Sequence, residues 1–193
     1  PGVALLDPLV AVDLLGTMQF TGTVGAPKAG DPHSVYLMFD LALRRSILLA
    51  LSALSGVALP DLPPLVERQG DNAPLMAKIA DTLAGLAMAD EGAQMQKRQV
   101  AELVEWAERA DAHGADMVAR NIADVTALLD RPFQDWNAAA TALEAYVNAA
   151  GPDEDAALIT LLGTIEGRQL QLFGPTALGV AASNVVLPVT RRA

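Results

Sequence analysis

Asp40, Arg44 and Arg45 are the first residues whose types and spacing could do chemistry. Asp40 and Arg44 stand four apart, so on a helix they share a face and can pair. They interrupt the most apolar stretch of the chain, where an unpaired charge is costly. One reading is a structural ion pair, or charges whose long stems reach the helix surface. The other is a buried group that binds an anion or sets the register of a subunit, with Arg45 turned toward a ligand or partner.

Glu166 is the second candidate. It falls on the helical line of Ile159, Leu162, Leu170 and Phe173. A carboxyl desolvated among apolar neighbours has a raised pKa and can serve as general acid or base. Gly163 and Gly167 flank it, and each glycine costs a helix interior about 1 kcal/mol relative to alanine. Their presence implies that another helix or a ligand comes close. The plainer alternative is a tight helix crossing in which Glu166 pairs with an arginine.

His113 is the third, with Glu105, Glu108, Asp111 and Asp116 near it in sequence. A carboxylate-bridged metal site wants a Glu-x-x-His pattern on one helical face. Here Glu108 is five residues before the histidine, and Asp116 lies beyond Gly114, so the spacing is poor. The better expectation is a histidine in the last turn of a helix capped by Gly114, where its cationic form suits the C-terminus. No metal site and no cofactor are expected. His33 reads as a first-turn surface residue. Phosphate loops, dinucleotide-binding glycine patterns, His-Glu-x-x-His and Gly-x-Ser-x-Gly are all absent from the chain.

These residues need a scaffold, and composition says which kind. About a third of the 193 residues are alanine or leucine, 52% are hydrophobic and only 4% aromatic. Such a chain packs helices closely around an aliphatic core, and its apolar surplus suggests a surface buried against a partner. The net charge of −10 argues against nucleic acid and against an anionic membrane surface. There is no cysteine, hence no disulfide, thiolate nucleophile or thiolate metal site. The longest apolar stretch, residues 35–59, is interrupted by Asp40, Arg44 and Arg45, and its longest uncharged run, residues 46–59, is shorter than the roughly 20 residues that a membrane span needs. No basic signal segment opens the sequence, and a cytoplasmic location is expected.

Punctuation divides the chain into elements. Asp31-Pro32 starts a helix from about His33 to Ser55, which Gly56 and Pro60 end. It is apolar nearly all round, which predicts a central position. Pro60, Pro63 and Pro64 form a stiff connector. From Pro74, helical spacing runs through Met76, Ile79, Leu83 and Leu86, with a break or bend at Gly92. The pattern resumes at Val100, Leu103, Val104, Ala107 and Ala110, with Glu102, Glu105, Glu108, Arg109 and Asp111 as a solvated face. Further helices are expected over 117–129, along Trp136, Ala140, Leu143 and Val147, and from Asp153 to about Leu172. The methionines read as core filler.

The expectation is therefore an all-α bundle of about five or six helices over 31–175. Extended, partly β-like arms flank it at 1–30 and 176–193. Its expected role is a non-catalytic structural or assembly subunit that self-associates, or binds a protein partner, through apolar helix faces and terminal arms. The alternative is a small-molecule-binding bundle or enzyme whose buried site comprises Asp40, Arg44, Arg45 and Glu166.

Overall fold

The computed structural model describes residues 33–173. The two expected arms, Asp31-Pro32 and the side chain of Asp40 lie outside the described residues. Five α-helices follow one another: α1 (His33–Ser55), α2 (Ala73–Gly85), α3 (Glu91–Leu129), α4 (Trp136–Ala149) and α5 (Asp155–Phe173), the last preceded by a 3₁₀ turn at Pro152–Glu154. No strand occurs among the described residues. The all-α bundle is as expected, and no described helix is long and apolar enough to cross a membrane.

Local chemistry sets the boundaries. Gly56 takes the left-handed conformation (φ +74°) that ends α1, and its N–H donates to Ser52 O at 2.9 Å. Pro74 opens α2 in the first turn, where its missing N–H costs nothing. Lys97 Nζ closes that helix by donating to the carbonyls of Ala84 (2.8 Å) and Leu86 (2.7 Å), a cation placed at the negative end of the helix dipole. Asp90 caps α3 by accepting from Ala93 N at 2.8 Å, and Asp135 caps α4 from Ala138 N at 2.9 Å. Glu154 accepts from Gly151 N at 2.9 Å before α5 begins.

Helix α3 corrects two expectations. It runs 39 residues without interruption, about 58 Å at 1.5 Å per residue. The break falls just before Gly92, which sits in the first turn. Gly114 is no C-cap: it lies in the helix interior, in open space, and the helix ends instead at Asp130 (φ 48°). One interior glycine costs about 1 kcal/mol, less than the packing of Ala112 and Met117 on either side supplies.

The centre of the bundle is also not α1. Helix α3 packs against α1, α2, α4 and α5. The main cluster joins Val125 of α3 to Ala139 and Leu143 of α4 and Leu158 and Leu161 of α5, with Ile122, Phe133, Trp136 and Tyr146 around it. The inward line of α4 is thus Trp136–Ala139–Leu143–Tyr146 rather than Trp136–Ala140–Leu143–Val147, and Val147 is exposed. Helix α1 lies along α5 and α3. It buries Leu41, Leu48 and Ala50 while leaving Leu51 and Leu54 largely in solvent.

Residues 57–72 cross the bundle as a strap. Leu59 and Pro60 sit on Gly163, where an added Cβ would come within 2.9 Å of Leu59, and Leu62 sits on Gly167 at 2.8 Å. The two glycines therefore admit this proline-rich connector rather than a helix or a ligand. Gln171 Nε2 donates to Pro63 O (2.7 Å), Arg68 pairs with Asp116 (2.8 Å), and both Asn72 nitrogens, backbone and side chain, donate to Asp111 at 2.7 Å. Gly70 passes so close to Asp111 that a side chain there would overlap the carboxylate.

Candidate functional site

Arg44 and Glu166 come together. Helix α1 presents Arg44 and α5 presents Glu166, with Arg44 Nη1 and Glu166 Oε1 3.7 Å apart. The Glu166 side chain is 12% exposed and that of Arg44 44%. The carboxylate among apolar neighbours thus has a cationic partner, as in the plainer expectation of a tight crossing. Arg45, the next residue of α1, is half-buried. Burial pulls its guanidinium below the ordinary arginine value, and the nearby Glu166 charge partly offsets this. The chemistry open to these three groups is recognition of an anion beside an ion pair.

Two further polar constellations hold α5; the sequence reading passed over the first entirely and over the reach of Arg109 to α5 in the second. Arg168 Nη1 donates to Asn121 Oδ1 and to Asp124 Oδ2, each at 2.6 Å. Asn121 is only 2% exposed, so this bond meets the desolvation cost of its amide oxygen. The available signal was a polar residue on the line Met117–Asn121–Val125, where its neighbours four residues away are apolar. At the end of α5, Arg109 Nη1 donates to the carbonyls of Leu172 (3.3 Å) and Phe173 (3.0 Å) while Nη2 pairs with Glu105 (3.3 Å). Glu105 and Arg109 pair four residues apart, but Arg109 and Asp111 are not the solvated face expected: one closes α5 and the other anchors the strap.

His113 lies inside α3, not in a last turn. Desolvation, then the neighbouring Arg68 cation, hold its imidazole below the usual histidine value, against the pull of Asp116. Its cationic form is thus disfavoured, contrary to the C-terminal expectation. Among the described residues, no three His, Asp or Glu side chains gather to hold a metal ion.

The third feature is a surface. Lys97 and Asp111 of α3 both reach α2 or its N-cap, so α2 and the first half of α3 run antiparallel as a hairpin. No residue from 74 to 111 is buried. At about 100° per residue, the α3-facing line of α2 is Met76–Leu83 and the α2-facing line of α3 is Lys97–Val104–Asp111. Leu75, Ile79 and Leu86 then fall on the same side of the hairpin as Val100 and Leu103, with Met95 and Trp106 at its margin. Leu75 (57%), Ile79 (37%), Leu86 (48%), Met95 (53%) and Val100 (42%) are all exposed. The opposite side carries Asp81, Gln94, Arg98, Glu105 and Glu108. On the margin, burial and the adjacent Glu105 raise the Glu102 carboxyl, with Arg98 opposing.

Comparison with protein-family models, with curated proteins and with solved structures finds no match for this chain.

Proposed function

We propose that this protein is a non-catalytic assembly subunit that associates with a second copy, or with a protein partner, through apolar helix faces and its terminal arms. One observation carries the reading: the α2–α3 hairpin keeps Leu75, Ile79, Leu86 and Val100 between 37% and 57% exposed on one side, with Met95 at its margin. A contiguous apolar surface rimmed by charge marks an interaction site. The net charge of −10 favours protein over nucleic acid as the partner, and the proposal keeps the cytoplasmic location expected from composition. Native mass spectrometry of the full chain at micromolar concentration tests it. A defined oligomer or a stoichiometric protein complex is the expected result, and a bare monomer overturns the proposal.

A second reading retains one supporting observation. Arg44 and Glu166, distant in sequence, lie 3.7 Å apart with Arg45 half-buried beside them, as an anion-binding site inside the bundle would need. Under this reading the purified chain carries a retained small anion. A mass equal to the polypeptide alone, together with no shift in Tm on titration with short-chain carboxylates and phosphate, rules it out.

A further inference from the structure

We infer that the occupant of the apolar α2–α3 face is the C-terminal segment of this chain, residues 174–193, either from the same copy or from its partner. The inference rests on the surface described above and adds what covers it. The argument begins from where the chain leaves the described bundle. Phe173, the last residue of α5, packs its ring against Trp106 at 6.3 Å between centroids, and Arg109 holds its carbonyl at 3.0 Å. Trp106 lies on the margin of the exposed face, so Phe173, the last described residue, stands at the rim of the surface to be covered.

Reach is ample. The α3 line from Asp90 to Trp106 measures about 24 Å at 1.5 Å per residue, whereas a 20-residue segment spans up to about 66 Å extended. Composition matches as well. The segment contains Leu178, Val180, Val185, Val186, Leu187 and Val189, and its sole charged side chains are Arg191 and Arg192. Residues 73–108 hold six carboxylates against three cations, with Asp90 and Glu91 at the hairpin tip. An apolar segment with a basic end therefore finds apolar area first and carboxylates beyond it.

The absence of cysteine allows a direct test. Ile79→Cys in the full chain gives one thiol on the exposed face, which is labelled with a benzophenone maleimide, irradiated and mapped by peptide mass spectrometry. Crosslinks to 174–193 are expected. Crosslinks to 1–32, to α2 or α3 of a second copy, or to solvent alone overturn the inference. Product mass separates the two ideas. A tail crosslink within one chain, in a protein that is monomeric by native mass, supports this inference while the assembly proposal fails; an oligomer crosslinked elsewhere does the reverse. In parallel, Val186→Asp in the intact chain should speed amide exchange over 75–86 and 95–107 by about tenfold, leaving 122–162 unchanged. Equal exchange in both forms counts against the segment.

Discussion

The two halves of α3 belong to one unbroken helix and meet different fates. From Ala112 onward the helix buries Ala112, Met117, Asn121 and Val125, because α4 and α5 close around it. From Glu91 to Asp111 it buries nothing, although Val100, Leu103, Val104 and Trp106 are as apolar as the residues that follow. The difference lies in the number of neighbours. Two antiparallel helices share a single seam, and a side chain needs a third element over it to lose its remaining contact with water. Stability is thus concentrated in the α3–α4–α5 end, while the hairpin end leaves apolar side chains exposed.

The largest expected effect separates these ends. Leu143→Ala, in the buried cluster, should cost about 2–5 kcal/mol in urea denaturation, whereas Ile79→Ala should stay within about 1 kcal/mol. Equal losses would mean that the hairpin is an integral part of the core, and the comparison would fail. Arg168→Met comes next. It strips the donor from Asn121 Oδ1, a buried acceptor, at about 1–3 kcal/mol. Asn121→Leu with Arg168→Met should recover much of that, since both partners of the bond are then apolar. If the double variant is no better than the single, the bond contributes more than satisfaction of a buried amide.

What the sequence made legible follows from the range of each signal. Gly56, Gly151 and Pro152 act on the turn they occupy, so α1 and α4 end where their punctuation puts them, whereas the Asp135 cap that starts α4 was not read. Gly114 reads locally as a stop, yet its meaning depends on what packs over residues 112 and 117, which local sequence does not carry. The same holds for the site. The spacing of Gly163, Glu166 and Gly167 showed that something approaches α5 closely and that an arginine could pair with the carboxylate. The identity of the intruder, a proline-rich strap more than a hundred residues away in sequence, is a matter of tertiary path. Arg168 was missed because its partners Asn121 and Asp124 lie on another helix, and only the polar break in the Met117–Val125 line hinted at them.

Gly114→Ala tests the continuity of α3 directly. A Cβ at this position meets nothing within 4 Å, and the backbone is helical. Alanine should therefore stabilise the protein by about 0.5–1 kcal/mol. A helix-terminating glycine in the left-handed region would respond with the opposite sign, because alanine is strained there. Loss of stability in thermal or urea unfolding would divide α3 into two helices and remove the basis for comparing its halves.

The smallest effect sits at the junction between the two regions, where His113 faces the strap. Desolvation and the Arg68 cation hold its folded-state pKa below the ordinary histidine value. The unfolded chain therefore binds this proton more readily than the folded one. Stability contributed by neutral His113 is full above about pH 6.5 and declines as pH falls from there toward the lower folded-state value. The Arg68–Asp116 pair is exposed on both sides, so water and salt screen much of the repulsion and the slope is shallow. His113→Gln should flatten the pH dependence of unfolding between about pH 7 and 5 without altering the plateau above it. An unchanged slope would mean that His113 does not set it, and that the strap is held by Asn72–Asp111 and the glycine seats on α5 rather than by the charge balance around His113.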